Sequence, residues 1–483
     1  MSGPLIPSLP SRLLAEQAFS RAAGAPLVNG NAVELLIDAA ANYAAWLAAI
    51  RGASQRVLLE NYIIRDDEVG REFRDALVER AQSGVFVAVV VDWVGCLGQS
   101  GSRFWAPLRA AGGEVRVFNP PQLGQPFGWV SRDHRKLLVV DGLLGFLSGV
   151  CISAKWLGDP ARNVPPWRDT GVALRGPVLA ELEIAFAQSW SEIGAELRPF
   201  APAPSSAAPA GDVSLRLIVT QPATAGMYRL DQLIAAMARK TLWLTDAYFV
   251  GIAPYVQALV AAARDGVDVR LLVPGSSDIP AVANMSRSGY RSLLQAGVRV
   301  FEWNGSMLHA KTAVADGQWA RVGSSNLNIA SWLSNRELDV AIEDTDFATR
   351  LAAQYEHDLN NATEIVLAPR RRRTGERVRS SEARPRARRG GGSSGRAAAG
   401  ALRLANSVSA ALTNRRVLEH DSVTPPLIAS LVLLLLAVVA IVRPAWIGWP
   451  FALLTGWFAL NLAIRGVRML RKRRRARLDG CEN

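Results

Sequence analysis

The chain has 483 residues, room for two ordinary domains and appendages, and an apolar fraction of 49% is more than a purely water-soluble enzyme needs. Its net charge of +13 is unevenly spread: residues 1–369 carry 32 Lys+Arg against 36 Asp+Glu, residues 370–403 carry twelve Arg against two Glu, and residues 465–477 carry eight basic residues and no acid. A mildly acidic body with basic tails argues against a nucleic-acid groove and for an anionic lipid surface, which attracts each nearby Lys or Arg by roughly 1 kcal/mol. Three cysteines, Cys96, Cys151 and Cys481, far apart and without metal-ligand spacing, exclude a disulfide framework and a zinc site and fit a reducing compartment.

Residues 1–30 form an N-terminal segment without the basic and apolar regions of a cleaved signal peptide. Residues 31–200 and 212–368 then repeat one plan across a Pro/Ala/Ser linker, 201–211. Each copy opens with a helical pattern and a short apolar strand, VLLENYII (57–64) against LWLTDAYFV (242–250). A helix and strand follow, LVERAQSGVFVAVVVD (77–92) against LVAAARDGVDVRLLVP (259–274), and then LRAAGGEVRVF (108–118) against LLQAGVRVF (293–301). Alternating helices and β-branched strands predict an α/β sandwich, with helices on both faces of a mixed sheet. A longer loop precedes the next strand in the first copy, where residues 119–133 would line the mouth of a shared site.

Residues 369–422 read as an Arg-rich, disordered linker. In 423–464, two apolar runs, 427–442 and 445–464, are separated by Arg443-Pro444 and followed by a basic tail, 465–483. With arginines on both flanks, the positive-inside rule predicts a transmembrane helical hairpin with both ends in the cytoplasm, and so an inner-membrane protein whose body faces the cytoplasm. A re-entrant hairpin and a buried soluble helix pair are the alternatives.

Each copy next carries H-x-K-x-x-x-x-D: His134, Lys136 and Asp141, then His309, Lys311 and Asp316, each Asp followed by Gly. These motifs claim two of four histidines and two of five lysines, which coincidence explains poorly. On a strand, His and Lys at i and i+2 share a face. Each Asp-Gly step reads as a hairpin turn, which makes Asp141 and Asp316 turn organisers rather than reacting groups. Beyond each turn comes a small-residue step, Ser148-Gly149-Val150-Cys151 and Gly323-Ser324-Ser325-Asn326, where Ser324 and Asn326 are candidates to bind a phosphoryl group with the lysines. A neutral imidazole can attack phosphorus to give a phosphohistidine while a second, protonated imidazole protonates the leaving alkoxide. Each imidazole needs its other ring nitrogen held, and Asp169, 35 residues after His134, and Glu337, 28 after His309, are the candidate carboxylates. No cofactor or metal is expected.

The duplicated motif with its downstream GSSN resembles the phospholipase D superfamily over residues 25–368, and residues 30–50 and 167–177 are most similar to bacterial cardiolipin synthases. The resemblance implies two tandem phospholipase D-like domains and an active site made of all six motif residues, with His134 as nucleophile and His309 as acid/base. It also implies transfer of a phosphatidyl group from one phosphatidylglycerol to another, with release of glycerol and without a metal. Hydrolysis of phospholipids, or less readily of nucleic acid, is the alternative. Cys151 departs from the amide residue many members have there, and the acceptor alcohol and the oligomeric state are not readable from the sequence.

Overall fold

Arg56–Asn61 and Lys136–Val140 are buried at every position, so the apolar stretches 57–59 and 137–140 run without alternation, and Arg56, Glu60, Asn61 and Lys136 are buried polar residues at their ends. The computed structural model describes residues 9–121, 130–198, 208–367 and 415–418, with isolated positions 434, 449, 452, 456 and 457. Its elements begin with α1 (Leu9–Ala23), β1 (Val28–Ile37), α2 (Asp38–Arg51), β2 (Arg56–Asn61), α3 (Glu68–Gln82), β3 (Phe86–Asp92) and α4 (Ala106–Ala110). The first repeat closes with β4 (Glu114–Phe118), β5 (Lys136–Val140), β6 (Leu144–Ser148), β7 (Thr170–Arg175) and α5 (Val178–Glu192). The second has β8 (Val213–Thr220), α6 (Gly226–Met237), β9 (Thr241–Thr245), α7 (Ala253–Arg264), β10 (Asp268–Pro274), α8 (Pro280–Gln295) and β11 (Arg299–Trp303). It ends with β12 (Thr312–Ala315), β13 (Trp319–Gly323), α9 (Ile329–Leu333), β14 (Glu337–Glu343), α10 (Thr345–Leu359) and β15 (Ala362–Leu367), and β16 (Arg415–Leu418) follows.

The strands order as β4-β3-β2-β5-β6-β7-β1 in the first repeat and β8-β14-β13-β12-β9-β10-β11-β15 in the second, and antiparallel pairing of β1 with β8 joins them. Within each repeat a parallel triplet, β2-β3-β4 or β9-β10-β11, meets an antiparallel set, which makes the sheet mixed. Trp46, Phe73 and Trp105 pack α2, α3 and α4 on one outer face. Phe19, Leu230, Leu259 and Leu293 pack α1, α6, α7 and α8 on the other. Between the repeats, Val139, Leu147 and Phe186 share a core with Val322, Val340 and Phe347, so that α5, α10 and the inner strand faces lock the halves together.

Four expectations change. Residues 28–37 form a strand, although AVELLIDAAANY is rich in helix formers, because they pair with both β7 and β8 and tertiary pairing overrides local propensity. His134 precedes β5, and both His309 and Lys311 precede β12, so the motif's first residues lie on the extended approaches to those strands. Arg415–Leu418, expected within a disordered linker, pairs in parallel with β15. The segment before residue 31 is not an appendage, since α1 packs on the second repeat through Phe19 and Ala23. No helix among the described residues is long and apolar enough to cross a membrane. The apolar runs of 423–464 lie outside the described residues apart from the isolated positions, as do residues 122–129 of the longer loop.

The Asp-Gly steps are tight hairpin turns. Asp141 and Gly142 have φ of 56° and 67°, and Asp316 and Gly317 have 52° and 65°, the left-handed pair that a two-residue turn of this type requires. Asp141 accepts hydrogen bonds of 2.8 Å from the backbone N–H of Ser54, Gln55 and Arg56. Asp316 accepts from those of Arg239, Lys240 and Thr241 at 2.7–2.9 Å. Each carboxylate therefore ties its turn to the start of β2 or β9. We expect Asp316→Ala to destabilise the protein by about 2–3 kcal/mol, with Asp316→Asn recovering much of the loss, since Asn accepts similar bonds and tolerates positive φ. The midpoint of thermal unfolding checks it.

Candidate active site

His134 and His309 face carboxylates of the opposite repeat. His134 Nδ1 lies 2.8 Å from Glu337 Oε2, and His309 Nδ1 lies 2.7 Å from Asp169 Oδ2. The backbone enforces this exchange: His134 N–H donates to the Arg336 carbonyl at 2.9 Å and His309 N–H to the Arg168 carbonyl at 2.7 Å. Arg168 is in turn held by both carboxylate oxygens of Asp358 on α10, at 2.9 and 3.0 Å, and Arg336 pairs with Glu192 at the end of α5. Sequence spacing from each His pointed within its own copy; the fold pairs across copies, because the loop after β6 bridges Leu308 through Arg168 and the loop after β13 bridges Asp133 through Arg336.

Both carboxylates are fully buried. Burial opposes their ionisation, but in Asp169 the adjacent His309, Lys311 and the indole of Trp156, which donates at 3.0 Å, outweigh it and hold the carboxyl at about 2. Glu337 likewise stays below the usual carboxylate range because His134, Lys136 and the Ser324 hydroxyl outweigh its burial. With the carboxylates ionised, each imidazole donates through Nδ1 and keeps its Nε2 lone pair for a substrate. Burial, reinforced by the lysine charges, lowers both imidazoles to about 4. Burial also lowers Lys311 to about 8. The ammonium groups of Lys136 and Lys311 donate to the carbonyls of His134 and His309.

Of the phosphate-binding candidates, Asn326 is buried with its Oδ1 unpartnered among the described residues, and its Nδ2 is the group able to donate to a phosphoryl oxygen. Ser324 is different: its hydroxyl accepts from the Leu338 N–H at 2.9 Å, so it braces the residue after Glu337. Asp141 and Asp316 do not join the cluster. Each stands five residues beyond its Lys, roughly 16 Å along an extended strand, occupied by the turn contacts above. Cys151 takes the place of Asn326 in the first repeat and is completely buried. Among the described residues no group of three or more His, Cys, Asp or Glu is arranged to hold a metal ion.

Four aromatic residues complete the walls. Tyr62 meets His134 edge-on at 4.7 Å between ring centroids, with the Lys136 ammonium 5.0 Å from the Tyr62 centroid. Tyr248 stands 5.9 Å from His309, flanked by Trp156 and Trp167 at 5.4 and 5.7 Å. The two tyrosines lie in VLLENYII and LWLTDAYFV but one position out of register with each other, so comparing the copies does not single them out. Trp167 sits beside the Asp169 already singled out, and Trp156 has no sequence signal.

The linkage sign is fixed by the depressed imidazoles. As pH falls below 6.5 the unfolded chain gains protons that the folded site takes up only near 4, so stability is full above about 6.5 and declines through that window. The unfolding midpoint should therefore drop between pH 7 and 5, and drop less in His134→Asn/His309→Asn, as denaturation at the two pH values would show.

A family model described as "Cardiolipin synthase, PLD-like domain" matches residues 231–359. Among curated relatives, the cardiolipin synthase of Alkalihalophilus pseudofirmus is 33% identical over 345 residues, 70% of this chain and 68% of that protein. Cardiolipin synthase A of Pseudomonas syringae pv. syringae is 33% identical over 72% of this chain and 73% of its own. Among solved structures, phosphatidylserine synthase of Haemophilus influenzae shares the fold at a TM-score of 0.54, with 14% identity over 72% of this chain and 91% of that one. With relatives this similar over more than two thirds of their length, and a duplicated H-x-K motif closed by exchanged carboxylates, the chain belongs to the cardiolipin synthase family of phospholipase D-like proteins.

Proposed function

We propose that this protein transfers a phosphatidyl group from one phosphatidylglycerol to a second, making cardiolipin and releasing glycerol. The observation that carries the reading is the pair of buried imidazoles, each held at Nδ1 by a carboxylate of the other repeat, with a lysine beside each. His134 Nε2 attacks the donor phosphorus, the bond from phosphorus to the glycerol oxygen breaks, and protonated His309 supplies the proton to that oxygen. The hydroxyl of the second phosphatidylglycerol then gives its proton to His309 and attacks the phosphohistidine, which releases His134. Lys136, Lys311 and Asn326 bind the phosphoryl oxygens.

Burial, reinforced by the lysine charges, keeps the imidazoles neutral, and the negative charge of a bound phosphodiester offsets the lysines and favours a protonated His309. Asp169, with its low pKa and its bond from Trp156, suits His309 to that cationic state. Asp141 and Asp316 act by shaping the strands that bring in the lysines. The apolar pair at 423–464 anchors the chain in the inner membrane as a hairpin, with the body facing the cytoplasm and the Arg-rich segments gathering anionic lipid.

Lipid mass spectrometry after incubation with phosphatidylglycerol vesicles, without added metal, tests the reading. Wild type should yield cardiolipin and glycerol, and His134→Ala or His309→Ala should lose at least about 1000-fold in rate. Phosphatidic acid in place of cardiolipin would make the protein a hydrolase. A Cβ at Gly149 would lie 2.2 Å from Asp169 Oδ1, so Gly149→Ala must displace the carboxylate that orients His309. We expect a fall of about 100-fold in kcat, measured on the same substrate, with the fold retained by circular dichroism.

A further inference from the structure

The exposed apolar side chains of the body are not scattered. Of the eleven large ones among its described residues, Leu143, Ile184 and Met237 lie elsewhere, and eight lie on the loops and helices that follow or precede the strand ends carrying the histidines. A water-soluble surface tolerates single exposed apolar residues anywhere, but concentration around one opening marks an interaction face.

Six of them stand next in sequence to residues of the site or of its walls, or a few positions from them. Val130 precedes His134 by four residues. Leu97 follows Cys96, whose thiol contacts the Tyr62 carbonyl beside His134. Leu157 follows Trp156, and Val164 precedes Trp167, the indoles that flank His309. Ile279 follows Asp278, which accepts from the Tyr248 hydroxyl at 2.7 Å. Met285 stands in the early turns of α8, next to Ser286, which shares a shallow hollow with Tyr248. Leu97 and Met285 are 59% and 56% exposed, one from each repeat.

The charges on these loops suit an anionic surface. Arg103 and Arg132 stand exposed on the loops of Leu97 and Val130, whereas Asp159 and Asp278 are within 4 Å of Arg162 and Lys155. The body around them is acidic overall. We infer that this apolar rim enters the outer few ångströms of an anionic phospholipid bilayer and seats the active-site mouth on it, independently of the C-terminal apolar segments. The inference rests on the lipid substrate proposed above. A bilayer is the occupant favoured over a protein partner because these residues and the exposed Arg103 and Arg132 share the strand ends from which a phosphatidylglycerol headgroup must reach the histidines, and a protein seated there would block it.

The full-length double variant Leu97→Asp/Met285→Asp, whose side chains touch none of the catalytic groups, tests this. Its kcat/KM on phosphatidylglycerol vesicles should fall at least about tenfold, while that on monomeric dihexanoyl phosphatidylglycerol stays within about twofold of wild type. A second measurement does not depend on turnover: in Leu97→Trp, vesicles of phosphatidylglycerol brominated in the acyl chains should quench fluorescence beyond the quenching of wild type. Unchanged vesicle activity in the double variant, or no excess quenching in Leu97→Trp, overturns the rim. A wild type inactive on both lipid forms would reject the proposed reaction instead, and the quenching result would still decide the surface.

Discussion

The crosswise pairing of imidazole and carboxylate is the constraint around which the body is arranged. Glu337 and Asp169 are completely buried, and an ionised carboxylate in such a place costs several kcal/mol unless its oxygens are bonded and a partner is fixed beside it. The partner in each case belongs to the other repeat. Neither half can therefore satisfy its own buried acid. The shared inner core, the β1–β8 seam and the Arg168–Asp358 and Arg336–Glu192 pairs all hold the halves in the one relation that satisfies both acids.

The same arrangement sets the chemistry. Each carboxylate fixes its imidazole's tautomer, and burial with the neighbouring lysines keeps the ring uncharged. The ring is then a nucleophile or a base in the resting protein. In the proposed reaction it is charge brought by the substrate that makes one ring an acid. Preorganisation of this kind is paid for during folding, which is why the bracing is so dense: Trp156 on Asp169, Ser324 beside Glu337, and Gly149 leaving space for the acid.

Much of this was legible in the sequence because repetition supplies its own control. Two copies of the H-x-K motif, two matched strand and helix pairs and two Asp-Gly steps each appear in a second context, so the α/β character and the clustering of His134, Lys136, His309 and Lys311 could be argued without coordinates. Residues 28–37 failed because helix propensity is local, whereas the strand is made by β7 and β8, far off in sequence. The carboxylates were found, but their exchange between repeats was not, since spacing along one chain says nothing about which loop crosses a seam. The bond that Ser324 accepts from the Leu338 N–H was not legible either, since nothing in the motif announces which backbone group its hydroxyl meets. Trp156 has no counterpart to betray it.

Fusing two repeats into one chain has an evolutionary consequence, visible where Cys151 stands at the position of Asn326. In a site built from two identical subunits every substitution is expressed twice, so both half-sites must change together. Here a single mutation alters one side only, so a thiol at Cys151 and an amide at Asn326 can stand in halves whose imidazole–carboxylate pairs remain matched. Joined repeats are thus free to differ from each other at single positions while the inner core they share holds them in register.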